Sequence, residues 1–149
     1  MRRAGITDIL DLRGEPSQGE HSMASLYAGT GIRYFYDPMT DTGGHQPASV
    51  YARGIEIMKL VLSYPGRKIL VHCRGGQYRS PSMIYAYLRR FGGMNAQQAW
   101  ATILRARPSA NRQYVQSADD ALATIRLRPS GVGLLSVISL GAFGLYSSS

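Results

Sequence analysis

The sequence predicts an α/β fold in which a central, mostly parallel sheet is flanked by helices. Two observations support this fold class. Short apolar or aromatic runs alternate with amphipathic stretches through the first 91 residues, and helical stretches then follow one another to about residue 125. The chain of 149 residues is long enough to bury one core. It contains no internal repeat, and no linker interrupts it before residue 127.

Three stretches predict the strands. Residues 6–12 (ITDILDL) alternate apolar and polar positions, and residues 32–36 (IRYFY) are rich in aromatic side chains. Residues 68–72 (KILVH) form a short apolar run between turn signals, which is typical of a buried central strand. Between the first two, residues 22–27 predict a short helical turn.

Two longer helices are predicted around the third strand. Pro47 suits the start of the first, because its fixed φ is compatible with a first helical turn. The apolar face of this helix is spaced at three and four residues and consists of Tyr51, Ile55, Met58 and Leu62. Ser80 and Pro81 begin the second helix, which ends at the glycine pair 92–93.

Two further helices complete the predicted domain. Asn95 followed three residues later by Gln98 resembles a capping box, and Pro108 ends the helix that it begins. The last helix is predicted from about Asn111, with an apolar side made of Val115, Ala118, Leu122 and Ile125. A catalytic domain over residues 1–128 and a separate tail over 129–149 are the predicted organisation.

The tail is apolar or small throughout and contains no charge over residues 131–146 (GVGLLSVISLGAFGLY). A membrane span needs about 20 residues, so this stretch is short. Arg126 and Arg128 precede it, which suits a weak tail anchor facing the cytoplasm. A segment folded onto the domain, or a disordered Gly/Ser-rich end, are the alternatives.

The net charge of +8 predicts attraction to anions. Most of the basic residues are arginines dispersed along the chain, without a dense basic block, so a solvated basic surface is favoured over a nucleic-acid face. The chain has one cysteine, Cys73, which excludes an intrachain disulfide and suits a reducing, cytoplasmic compartment.

That cysteine lies in residues 71–82, VHCRGGQYRSPS, between the third predicted strand and the following helix. A loop in this position directs backbone amides and the positive end of the helix dipole at one point, which forms an anion site. Gly75 and Gly76 permit the tight curl that such a loop needs. Five residues separate Cys73 from Arg79, whose guanidinium fork matches two phosphate oxygens.

The same surroundings favour the thiolate form of a cysteine, which is the nucleophilic form. A thiolate beneath a bound phosphate lies in line with the phosphorus. The pattern therefore predicts cleavage of phosphate monoesters through a phosphocysteine, without a metal ion. The plainer alternative for Cys73 is a buried structural thiol, and Ser80 could act only as a helix cap.

The stretch HCRGGQYRS resembles the His-Cys-x5-Arg-Ser/Thr signature of the protein tyrosine phosphatase superfamily, and the Ser-Pro-Ser continuation with the small size resembles its dual-specificity branch. The resemblance covers about residues 5–126. It implies that Cys73 attacks phosphorus, that Ser80 helps the thiolate leave and that His72 supports the cysteine. The phosphate would be bound by the loop residues Arg74, Gly75, Gly76, Gln77, Tyr78 and Arg79.

The resemblance also predicts a general acid in the loop after the second strand, three residues beyond a proline. Asp41 fits this position relative to Pro38, whereas Asp37 precedes the proline and is expected to shape the loop. Family members usually carry another strand and helix before the segment that matches residues 6–12. This chain is therefore either a minimal member or incomplete at its N-terminus, and an exposed sheet edge is expected in both cases.

The implied substrate is a phosphorylated protein, with phosphotyrosine and phosphoserine or phosphothreonine both accepted at a shallow site, and no cofactor is implied. Phosphoinositides, glucans and RNA 5′-phosphates are substrates of related folds and remain alternatives. A rhodanese-like sulfurtransferase would also place a cysteine between strand and helix, but its chemistry requires neither Arg79 nor Asp41. A phosphoprotein-binding module without turnover is the non-enzymatic alternative.

Overall fold

The structure is a computed structural model that describes residues 4–14, 19 and 21–125. Within these residues the sheet has three strands, all parallel, in the order β2-β1-β3. The elements follow one another as β1 (Asp8–Asp11), α1 (Ala24–Tyr27), β2 (Arg33–Tyr36), α2 (Ala48–Leu62), β3 (Ile69–His72), α3 (Arg79–Arg90), α4 (Ala96–Ala106) and α5 (Val115–Thr124). The predicted α/β class and the predicted order of strands and helices are confirmed.

The central strand β1 pairs with both neighbours, and Asp8 aligns with Arg33 on one side and with Ile69 on the other. Ile9 and Leu10 are fully buried, as expected for a strand covered on both faces. The Asp8 carboxylate is buried as well and is compensated by hydrogen bonds from Arg33 and from the Thr7 hydroxyl. Because both pairings are parallel, the carboxyl ends of all three strands lie at one edge of the sheet.

Helix α3 is buried on every side from Arg79 to Leu88. The reason is its position, because α2, α4 and α5 all pack against it and β3 lies beneath it. Its small residues, among them Ser80, Ser82 and Ala86, allow these neighbours to approach closely. A helix enclosed in this way holds its first turn rigidly at the edge of the sheet.

Helix α4 begins with the predicted capping box. The Asn95 side chain accepts the Gln98 amide at 2.9 Å, and the Gln98 side chain accepts the Asn95 amide at 3.0 Å. Ala99, Trp100 and Ile103 are buried against the core. This helix packs on α3, so its C-terminal end comes near the loop that precedes α3.

Helix α5 begins at Val115, and the prediction of a start near Asn111 is wrong. The Asn111 amide donates to the carbonyl of Gln77 at 2.7 Å, so it is committed to a distant loop. The Asn111 side chain accepts the Gln113 amide at 2.9 Å, which closes a local turn in place of a helical turn. These two bonds delay the helix by about one turn.

The predicted tail over 129–149 lies outside the described residues, so its membrane tether stays a prediction. Among the helices that the structure describes, none is both long and apolar enough to cross a bilayer.

Candidate active site

Cys73 directly follows β3, and the loop from this residue leads into α3 at Arg79. The cysteine is buried, with 2% of its surface exposed. Gly76 adopts φ +66°, a left-handed conformation that a residue with a Cβ adopts only with strain. The predicted curl of the loop is therefore found at the second of the two glycines.

The outer side of this loop is bonded to the connection between α4 and α5. Arg107 donates to the Gly75 carbonyl at 3.0 Å, and the Asn111 amide donates to the Gln77 carbonyl. In a trans peptide the carbonyl and the following N–H point in opposite directions. The amides of Gly76 and Tyr78 therefore point away from that connection, which is the orientation that an anion-binding loop needs.

Arg79 is 1% exposed and reaches the loop after β2. Its Nη1 donates to the Met39 carbonyl at 3.1 Å, and its Nη2 donates to Asp41 Oδ2 at 3.2 Å. The structure thus brings the predicted phosphate-binding arginine and the predicted general acid into direct contact. Asp41 keeps 39% of its side chain exposed, so it lies at the mouth of the site.

Ser80 lies behind the cysteine. Its hydroxyl oxygen is 3.4 Å from Cys73 Sγ, and its side chain is fully buried in the first turn of α3. This position places the hydroxyl where it can donate to a thiolate. It is one residue into α3 and not at the cap, so the interpretation of Ser80 as a helix cap is wrong.

His72 lies between the cysteine backbone and a buried carboxylate. Its Nδ1 is 3.3 Å from the Cys73 carbonyl, and its Nε2 is 3.7 Å from Asp11 Oδ1. Burial lowers the pKa of His72, and the negative charge of Asp11 opposes that effect only in part. Its contacts are those of a side chain that shapes the backbone at Cys73.

Asp11 is fully buried at the end of β1 and is held by Arg13 and Tyr34. The Arg13 guanidinium contacts both carboxylate oxygens, and the Tyr34 hydroxyl donates to Oδ2. Burial by itself would raise the pKa of Asp11, but these hydrogen bonds outweigh it and keep the pKa below its usual value. Sequence reasoning did not select Asp11, because an aspartate at a strand end has no distinctive pattern.

Asp37 is turned away from the site. It is 1% exposed, and its carboxylate accepts a hydrogen bond from Arg53 Nε at 2.9 Å. Its amide donates to the Asp11 carbonyl at 3.0 Å, which continues the pairing beyond β2. Of the two loop aspartates, only Asp41 contacts Arg79.

The remaining predicted loop residues form the rim. Arg74 and Gly75 are exposed, whereas Gln77 and Tyr78 are half-buried. Three residues that were not predicted to belong to the site also contact it, namely Arg107, Asn111 and Tyr114. Within the described residues, no three His, Cys, Asp or Glu side chains lie close enough together to hold a metal ion.

The sequence model of the dual specificity phosphatase catalytic domain matches residues 3–118. Dual specificity protein phosphatase 26 of Homo sapiens is 34% identical over 88 residues, which are 59% of this chain and 40% of that protein. The Rattus norvegicus protein of the same name gives the same values. The match therefore spans well under half the length of these curated relatives.

Solved structures share the fold. Tk-PTP in its active form superposes with a TM-score of 0.68 at 20% identity, covering 83% of this chain and 84% of that chain. Human DUSP28 gives a TM-score of 0.64 at 20% identity, with 82% and 78% covered. At these identities the likeness concerns the fold alone.

Proposed function

The chain belongs to the dual specificity phosphatase family, and we propose that it hydrolyses phosphate monoesters through a phosphocysteine intermediate, without a metal ion. The observation that carries the proposal is the convergence of four side chains at one edge of the sheet. Ser80 lies 3.4 Å from the Cys73 sulfur, and Arg79 joins the cysteine loop to Asp41 at 3.2 Å. A buried structural thiol would require none of these neighbours.

In the first step the Cys73 thiolate attacks phosphorus, and the bond between phosphorus and the ester oxygen breaks. The leaving oxygen takes the electron pair of that bond and a proton from Asp41. The amides of residues 74–79 and the Arg79 guanidinium bind the non-bridging oxygens and stabilise the charge that builds up there. Arg79 also contacts Asp41, and a bound phosphate would compete with the carboxylate for the guanidinium.

In the second step water attacks the phosphocysteine, and Asp41 now accepts the proton of that water. The sulfur leaves as a thiolate, and the Ser80 hydroxyl donates a hydrogen bond to it. His72 keeps the Cys73 backbone in place through its contact with the carbonyl. Because the nucleophile is the thiolate of an unoxidised cysteine, the activity requires a reducing compartment.

For substrates we infer phosphotyrosine together with phosphoserine or phosphothreonine in proteins. The family supports this class, and so does the position of Asp41, which is partly exposed at the mouth of the site. Arg74, an exposed residue of the phosphate loop, adds positive charge that suits acidic phosphopeptides. The domain would occupy residues 1–128.

The test is hydrolysis of p-nitrophenyl phosphate in EDTA by the native chain and by Cys73→Ser. We expect turnover by the native chain and none by the variant, and a phosphotyrosine and a phosphoserine peptide should both be cleaved. No turnover by a folded native chain would overturn the proposal. Binding of phosphopeptide without turnover would then identify a binding module, and turnover of thiosulfate would identify a sulfurtransferase.

A further inference from the structure

Tyr114 connects the beginning of α5 to the predicted general acid. The residue is 1% exposed, and its hydroxyl donates to Asp41 Oδ1 at 3.2 Å although the two are 73 positions apart in the chain. The same hydroxyl accepts the Gly43 amide at 3.0 Å. A single buried phenol therefore contacts both the acid and the backbone two residues beyond it.

Two more bonds attach the Asp41 loop to α5. The Gln46 amide donates to the Ser117 hydroxyl at 3.1 Å, and His45 Nε2 lies 3.1 Å from Asp120 Oδ2. The first is buried and the second is exposed. The loop that carries the acid thus rests on α5 over several residues, and Tyr114 is the member of this contact that reaches the acid itself.

The hydrogen bond between Tyr114 and Asp41 runs from the phenol hydroxyl to the carboxyl oxygen. Burial raises the pKa of Tyr114, and the nearby Asp41 carboxylate adds to that effect, so the hydroxyl keeps its proton at neutral pH. Its oxygen already accepts from Gly43, and its proton is directed at Asp41 Oδ1. Oδ1 accepts a hydrogen bond from the phenol, so it is the less favourable of the two oxygens to carry the carboxyl proton of Asp41.

The other carboxylate oxygen faces the phosphate site, because Arg79 donates to Oδ2. When Arg79 turns to a bound phosphate, the Tyr114 hydroxyl would still donate to Asp41 Oδ1. We propose that Tyr114 is a positioning residue for the general acid, holding Asp41 so that Oδ2 carries the proton to the leaving oxygen. This inference rests on the proposed function.

The proton balance is simple. As the ester bond to phosphorus breaks, the leaving oxygen takes the proton from Oδ2, and Asp41 becomes a carboxylate. The Tyr114 hydroxyl donates to Oδ1 throughout, and it therefore stabilises the charge that the transfer leaves on Asp41. The contribution should increase with the need of the leaving group for a proton.

The test compares Tyr114→Phe with the native chain on dinitrophenyl, p-nitrophenyl and phenyl phosphate. General acid catalysis raises the rate about 10²- to 10⁴-fold. Loss of positioning should slow cleavage of phenyl phosphate about 10-fold and slow cleavage of dinitrophenyl phosphate little. Tyr85→Phe is the matched control, because it removes another tyrosine hydroxyl, whose partners are Asp119 and Arg89. An equal loss on all three esters would overturn the proposal.

A double-mutant cycle gives the second readout. In an Asp41→Asn background, Tyr114→Phe should cause no further loss on phenyl phosphate, because Tyr114 acts through Asp41. An undiminished loss in that background would overturn the inference. Failure of the native chain on every ester would instead count against the proposed function.

A measurement without turnover covers the case in which Tyr114→Phe does not fold. 3-Fluorotyrosine incorporated at position 114 keeps the hydroxyl and the packing. Its fluorine resonance should shift on Asp41→Asn and stay in place on Asp37→Asn, whose carboxylate faces Arg53. An unchanged fluorine resonance on Asp41→Asn would overturn the inference, whatever the activity of the enzyme.

Discussion

The buried carboxylate of Asp37 is bonded to the exposed guanidinium of Arg53 at a distance of 2.9 Å. Burial raises the pKa of Asp37 to about 6, and the hydrogen bond from Arg53 offsets this only in part. Within the described residues, Asp37 Oδ2 has no hydrogen-bond partner. The base of the loop that carries Asp41 therefore contains a charge that is poorly compensated at neutral pH.

Asp37→Asn should stabilise the protein at pH 7.5. The pKa of Asp37 is about 6 in the folded state and 3.8 in the unfolded state, so the folded state binds the proton more tightly. Stability is therefore lost as pH rises from about 4 to about 6. The difference between a pKa of about 6 and one of 3.8 sets an upper limit of about 3 kcal/mol on this stabilisation. Urea unfolding at pH 4.5, 6 and 7.5 should give a flatter profile for the variant.

The control for this prediction is Asp120→Asn. Asp120 is exposed and its pKa is lowered, chiefly by the hydrogen bond from Gln116, so its contribution changes below the pH window of the experiment. An Asp37→Asn profile as steep as that of the native chain would show that the buried carboxyl does not titrate in this range.

Asp41→Asn should slow cleavage of a phosphoserine peptide by about 10²-fold or more, and cleavage of dinitrophenyl phosphate far less. The alkoxide of serine needs a proton to leave, whereas a nitrophenolate does not. The measurement is kcat/KM on both substrates. Asp37→Asn is the matched control in the same loop, and equal losses on both substrates for Asp41→Asn would remove Asp41 from the role of acid.

Ser80→Ala should slow breakdown of the phosphocysteine about 10- to 100-fold, which corresponds to loss of a hydrogen bond to a charged group. The Ser80 hydroxyl is 3.4 Å from the sulfur that must leave. A burst of p-nitrophenol followed by slow turnover is the expected trace. Ser82→Ala is the control, because its hydroxyl donates to the Arg79 carbonyl, and a burst of equal size there would contradict the assignment.

Arg107→Ala should weaken competitive inhibition by inorganic phosphate about 3- to 10-fold, the range of one ordinary hydrogen bond. Without Arg107 the Gly75 carbonyl loses its donor, and the peptide that directs the Gly76 amide is free to rotate. Arg105→Ala is the control, because Arg105 contacts Thr102 on its own helix. Equal inhibition constants for the native chain and Arg107→Ala would show that the loop holds its shape unaided.

Local features of the sequence predicted most of the fold. The capping box of Asn95 and Gln98 involves residues three apart, and the apolar face of α2 follows a local period, so both could be read directly. The proximity of Cys73 and Ser80 was equally accessible, because both lie in one strand–loop–helix segment. For such features the chain neighbours determine the conformation.

Other features depend on contacts between distant parts of the chain. The late start of α5 results from the bond between Asn111 and Gln77, and the helical period of the sequence contains no trace of it. Likewise, nothing near Tyr114 indicates that its hydroxyl will meet Asp41. A tyrosine on a helix end is ordinarily a packing residue, and only the tertiary structure gives it a polar partner.

The parallel sheet has a consequence for how the chain folds. Parallel strands cannot be joined by a tight turn, so the partners of β1 lie well downstream in the chain and are synthesised later. The bond between Thr7 and Lys68 spans 61 residues. Such distant pairing is slow, and refolding should take milliseconds or longer. The loops of Asp41 and Cys73 follow β2 and β3, so recovery of activity should coincide with closure of the sheet and not precede it.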